Sequence, residues 1–259
     1  AYWCSDTENR KQRLELEQVA ATSGKFADKY AAMEHERVTA RNRDEDRAKR
    51  QQERQDERAL RDREIAESWE SFRTKLQDNP SVIDNSAVLS AGKPTAALNE
   101  LHNWLSNATN RLNRYAISAG HLLSPVFGEE VQKHYESGAT AFWRVHPPPL
   151  ESAGESFTTW GALALAGITI EAERDPDWAD KLDKSEAQRA AQFATRELNG
   201  FPIWLNDLAA AHPLAVGEVF AQEFEWELRG SATDDQRYHC ASRLAYSEPT
   251  LRDALAPVL

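Results

Sequence analysis

The sequence predicts an all-α protein in two parts: a long charged helix or helical hairpin over residues 1–79, then an antiparallel helical array, solenoid or bundle, over residues 80–259. Three observations carry that prediction. Residues 34–64 hold ten acidic and ten basic side chains in 31 positions, without Pro or Gly. From residue 80 on, apolar residues recur at helical spacing in segments closed by Pro and Gly. Thr169-Ile170 reads as β-branched, yet no partner strand stands nearby.

The charged stretch comes first because it sets the organisation. Glu45/Lys49, Asp46/Arg50, Glu57/Arg61 and Asp44/Arg47 place opposite charges on adjacent helical turns, each pair worth a few tenths of a kcal/mol. Arg, Lys, Glu and Gln are also good helix formers. Val38 and Leu60 are its only sizeable apolar side chains, so it has no face to bury. It reads as a solvated strut. A long coiled coil would need sustained apolar a and d positions, which residues 34–64 lack.

Before the strut, Leu14, Leu16, Val19, Ala20, Phe26, Tyr30 and Met33 fall near helical spacing, and Gly24 marks a kink or a corner between two helices. After it, Ile65, Trp69, Phe72 and Leu76 form one apolar face, and Asn79-Pro80 stops the helix. Two arrangements follow. One is an unbroken helix of about 110 Å from Ser5 to Asp78. The other, preferred because both apolar stretches need a partner, is a hairpin pairing Leu14–Met33 with Ile65–Leu76.

The second part opens with an amphipathic helix over Thr95–Ala119, capped by Gly120. Ser124-Pro125 then starts a helix reaching Trp143, with Ser124 as N-cap. Pro147-Pro148-Pro149 is a rigid loop. Ser156–Glu173 is apolar over most of its circumference, so it is central. Ser185–Asn199, Pro202–Ala211, Pro213–Leu228, Asp234–Ala245 and Pro249–Leu259 complete the array.

Charge bounds the partners. The net charge is −11, of which residues 80–259 carry −10, so that part repels a phosphate backbone and argues against a nucleic-acid surface there. Cys4 and Cys240 make no disulfide framework and predict a reduced, cytoplasmic setting. No apolar run is long enough to span a membrane, and no signal peptide is visible. The start at Ala1 and the stop after Leu255-Ala256-Pro257-Val258 predict a piece of a larger protein.

Chemistry-bearing motifs are sparse. No phosphate-cradling glycine loop, dinucleotide fingerprint, nucleophile elbow or His-Glu-x-x-His zinc pair occurs, so the sequence names no catalytic residue, cofactor or metal. Glu130 and His134 stand four apart on one helix beside Glu129, and with His121 they form the alternative, enzymatic site. A surface hydrogen bond is the plainer reading. Cys240, next to His239, reads as packing. Trp143, Trp178, Trp204 and Trp226 read mainly as packing residues, and as the candidate anchors for a protein partner.

One stretch resembles a known group. Gly200-Phe201-Pro202-Ile203-Trp204-Leu205-Asn206-Asp207-Leu208, then His212-Pro213-Leu214-Ala215-Val216 and Glu223–Leu228, is similar to helical-repeat regions of very large bacterial proteins that carry a nucleoside-triphosphatase module, some of them anti-phage defence proteins. The resemblance covers about 30 residues and transfers no catalytic residue. It implies a region of a large bacterial multidomain protein. The sequence therefore leads to a non-enzymatic scaffold that positions protein partners, with an all-α enzyme and a nucleic-acid-associated module of a defence system as the alternatives.

Overall fold

A computed structural model describes residues 6–22, 24–109, 118–197, 200–230 and 239–256. Helices account for all the regular structure among them, and no strand occurs there. The chain divides into two compact units, Ala1–Glu70 and Ser71–Leu259.

The first unit contains α1 (Asp6–Thr22) and most of α2 (Gly24–Asp78), whose last turns belong to the second unit. α1 and the start of α2 lie side by side: Arg13 pairs with Glu34 at 2.7 Å, and the Tyr30 hydroxyl donates to Glu17 at 3.3 Å. A hairpin therefore exists, but not the expected one. α2 runs through residues 34–64 without a break, so Leu14–Met33 do not pair with Ile65–Leu76. Leu14, Met33 and Ile65 are each more than half exposed. The reason is local: residues 34–64 contain neither Pro nor Gly, and their paired charges favour continued helix. Arg41–Glu45 at 2.8 Å and Arg61–Glu57 at 3.7 Å are such pairs. Every residue from Ala40 to Ser68 is exposed.

The second unit holds the core. Leu76, on the last turns of α2, is buried, and Phe72 meets Phe127 edge-on at 6.4 Å. A 3₁₀ turn at Pro80–Val82, α3 (Ser86–Leu89) and α4 (Ala96–Ala108) follow. Thr95 caps α4 through its hydroxyl, which also donates to the Ile83 carbonyl. The expected helix to Ala119 is shorter: α4 ends at Ala108 on an extended Thr109, and Leu112 and Tyr115 lie outside the described residues. Gly120 is no cap. It sits buried in a 3₁₀ turn, where a Cβ would come within 2.8 Å of a Glu136 carboxylate oxygen.

The helix expected from Ser124 to Trp143 is two helices. α5 (Ser124–Phe127) has Leu123 rather than Ser124 at its N-cap, and Gly128 at φ +100° breaks the chain before α6 (Glu129–Val145). Only a glycine takes that backbone angle without strain. α7 (Thr159–Arg174) buries Gly161 through Ile168 and is the central helix expected from its composition. It crosses α6 so closely that a Cβ on Gly167 would stand 2.1 Å from the Ala139 carbonyl oxygen. α7 also packs on α8 (Lys184–Ala194), and α8 on α10 (Pro213–Gly230). Asp183, not Ser185, caps α8, in a reciprocal box with Glu186. α9 (Leu205–Ala211), α11 (His239–Ala245) and α12 (Pro249–Leu255) pack against α10 and one another. No described helix is long and apolar enough to cross a membrane.

Candidate functional site

The four tryptophans divide. Trp143 is fully buried, and its indole N–H donates to Glu171 at 3.0 Å. Trp204 is buried and donates to the Thr169 hydroxyl at 3.1 Å, while Trp178 meets it edge-on at 5.6 Å. These three are interior residues rather than surface anchors, because each fills a gap between helices that smaller side chains would leave open. Trp226 is half-buried on α10.

The Glu129, Glu130, His134 and His121 group does not converge on one point. Glu130 takes an ion pair from Lys133 at 2.7 Å, which lowers its pKa through that hydrogen bond first. His134 Nδ1 lies 2.8 Å from Asp84, tying α6 to the segment before α3. Glu129 and His121 are exposed. Among the described residues no three His, Cys, Asp or Glu side chains stand together as metal ligands.

Sequence reasoning missed the polar chemistry that is present. Arg144 bridges Glu171 at 2.6 Å and Glu186 at 2.9 Å and lies 4.5 Å above the Trp143 ring. Burial opposes its charge, but the two carboxylates outweigh that and raise its pKa. Glu136, nearly buried, pairs with Arg174 and accepts from Gln132 at 2.8 Å. A cavity of about 190 Å³ opens beside Arg144, Glu171, Arg174 and Asp175. Its charged groups are already joined in pairs, Arg144 to Glu171 and Lys181 to Asp175 at 2.5 Å.

Two further buried groups are structural. His102 on α4 shares a 3.0 Å hydrogen bond with the Tyr135 hydroxyl, and burial lowers its pKa from 6.5 to about 4. Cys240 is buried beside Glu227, whose carboxylate accepts the Cys240 and Ala241 amides at 2.6 and 3.0 Å and so caps the start of α11. Burial first, then Glu227 and Glu223, raise the thiol's pKa, so the group stays protonated and inert. This agrees with the packing role expected for it.

The larger cavity is a groove of about 470 Å³ among the residues before α9, α11 and the start of α12. Gly200, at φ +115°, turns the chain after α8 and lets Phe201 and Pro202 form one wall. Phe201 is fixed edge-on against Phe220 at 5.2 Å. Leu251 lies buried along the groove, and Arg243 is held by the Glu197 carbonyl. Its small polar groups bond locally, Asn206 to the Ile203 carbonyl at 3.3 Å and Ser247 to the Leu244 carbonyl at 2.8 Å. On the rim stand Ile203, 88% exposed, and Tyr246, 93% exposed. A unit that buries most of its large apolar residues leaves these two in water. Ile203 was within the familiar Gly200–Leu208 stretch, but nothing in its spacing distinguished it from a core residue.

Comparison with protein-family models, with curated proteins and with solved structures finds no match for this chain.

Proposed function

We propose that the chain is a non-enzymatic scaffold that positions protein partners, engaging one of them through the groove rimmed by Ile203 and Tyr246. The exposure of those two side chains on the rim of a groove lined by both apolar and polar residues carries the reading, since neighbouring exposed apolar groups mark interaction sites. A tyrosine offers large area at low entropy cost and is enriched at binding hot spots. The strut adds support: every residue from 40 to 68 is exposed, as in a spacer helix. A place in a larger bacterial multidomain protein rests on the resemblance of residues 200–228, and a cytoplasmic setting on cysteine usage.

Native isolation from its own cells, followed by mass spectrometry, tests the reading. The expected result is a stoichiometric second polypeptide that is lost with the double substitution Ile203→Asp/Tyr246→Asp. A chain that emerges with no other polypeptide, or a partner retained by that variant, overturns it.

A further inference from the structure

We infer that one face of the exposed part of α2 binds the phosphate backbone of double-stranded DNA through a row of six arginines, Arg43, Arg47, Arg50, Arg54, Arg58 and Arg61. This surface goes beyond the scaffold reading and does not depend on the groove.

Spacing and helix continuity make the row together. Steps of four, three, four, four and three residues return each arginine to the same side of a helix with 3.6 residues per turn, within an arc of about 80°. α2 is unbroken across them, and every residue from Ala40 to Ser68 is exposed, so all six stand in solvent. At 1.5 Å per residue the row is about 27 Å long, with about one arginine per turn. No acidic residue between Arg43 and Arg61 falls on that arc. Asp46, Glu53 and Glu57 lie along one flank, Asp44 and Asp62 along the other, and Glu45 and Asp56 behind. Charges that balance in number along the strut are therefore separated around it. Arg61 pairs with Glu57 at 3.7 Å, and Arg50 donates to the Asp46 carbonyl at 3.2 Å. Among the described residues no ion pair takes up Arg43, Arg47, Arg54 or Arg58.

The chemistry of the row selects the occupant. Every member is arginine, whose planar fork takes two phosphate oxygens at once, while Lys49 lies off the face. A straight row of cations fits an equally straight, evenly charged partner, and duplex DNA carries one negative charge per about 1.7 Å of its axis. A single strand would need aromatic side chains to stack on, and this face has none. A second copy of the helix matches less well. Its acidic flank over the same length holds Asp46, Glu53 and Glu57 against six arginines, and Glu57 is already paired with Arg61. The −10 charge of residues 80–259 lies outside the row, and salt screens exposed charges beyond about 8 Å. With acids on both flanks the helix lies along the outside of the duplex, so it touches backbone and is indifferent to base sequence.

Fluorescence anisotropy of a labelled DNA duplex of about 30 base pairs, titrated with the full chain between about 50 and 200 mM salt, tests the inference. Six phosphate contacts give an expected slope of log affinity against log salt of about −5. Arg47→Gln/Arg50→Gln/Arg54→Gln keeps good helix formers on the exposed face; binding should weaken about tenfold or more and the slope flatten to about −3. Arg41→Gln/Lys49→Gln/Arg63→Gln removes the same charge from the other faces and should bind like the wild type. Circular dichroism checks that both variants keep the wild-type helix content. A duplex left free at the lower salt overturns the inference. Equal weakening in the two variants also overturns it, because net charge alone would then attract the DNA. A chain that leaves the duplex free but self-associates through Arg47, Arg50 and Arg54 gives the row to a second copy instead.

Discussion

α7 and the middle of α2 are both uninterrupted helices, held by opposite means. α7 buries nearly its whole circumference, from Gly161 through Ile168 and again at Ile170. α2 exposes every residue from Ala40 to Ser68. The first is helical because its neighbours exclude water and leave the backbone no other way to satisfy its hydrogen bonds. The second is helical because good helix formers and oppositely charged neighbours favour that state turn by turn. Perturbations should therefore spread through the one and stay local in the other.

The largest effect is expected at the α6–α7 crossing. Gly167→Ala places a methyl against the Ala139 carbonyl, and backbone cannot swing aside as a side chain can. The second unit should lose about 3 kcal/mol or more, read by denaturant unfolding. An unchanged midpoint would show that the two helices are not packed so tightly.

Acid should come next. His102 is buried and neutral, with a pKa near 4 against 6.5 outside the fold. Between those values the unfolded chain binds the extra proton, so stability is full above about pH 6.5 and declines as pH falls toward 4. The loss approaches about 3 kcal/mol. Comparing the pH dependence of unfolding with that of His102→Asn isolates this share: the variant should have a flatter acid limb. Equal slopes would assign acid sensitivity to other groups.

The smallest effect belongs to the strut. Ala48→Gly should cost about 1 kcal/mol of local helix. Hydrogen exchange should quicken around residue 48, while the unfolding midpoint of the second unit stays in place. A shifted midpoint would mean that the exposed helix and the core unfold as one, and the contrast between them would fail.

Much of the fold was legible where the cause is local. Asn79-Pro80 ends α2 because proline constrains the residue before it, and Pro213 and Pro249 open α10 and α12 because proline's fixed φ suits a first turn. Boundaries failed where a longer-range cause took over. Gly120 looked like a helix cap but sits buried against the Glu136 carboxylate, sixteen positions away in the chain and adjacent in space. Gly128 split a helix that periodicity alone had joined.

The site was less legible. His134 meets Asp84 across 50 positions, and Arg144 reaches Glu171 and Glu186 across 27 and 42. Charge spacing along a sequence carries no trace of such pairs. Trp143 and Ile203 show the same limit from opposite sides. Trp143, read mainly as a packing residue, lies at the centre of the core, whereas Ile203, to which the sequence assigned no role of its own, stands almost fully in water.

By itself, then, the sequence determined the all-α class, the helical state of residues 34–64 and the central place of α7, because these follow from propensities, breakers and apolar period acting over a few residues. Only the tertiary structure decided which stretches pair in the hairpin, which carboxylate each arginine meets, and which apolar side chains are left uncovered. Those outcomes depend on which helix lies beside which, and burial and Coulomb energy respond to distance in space, whatever the separation along the chain.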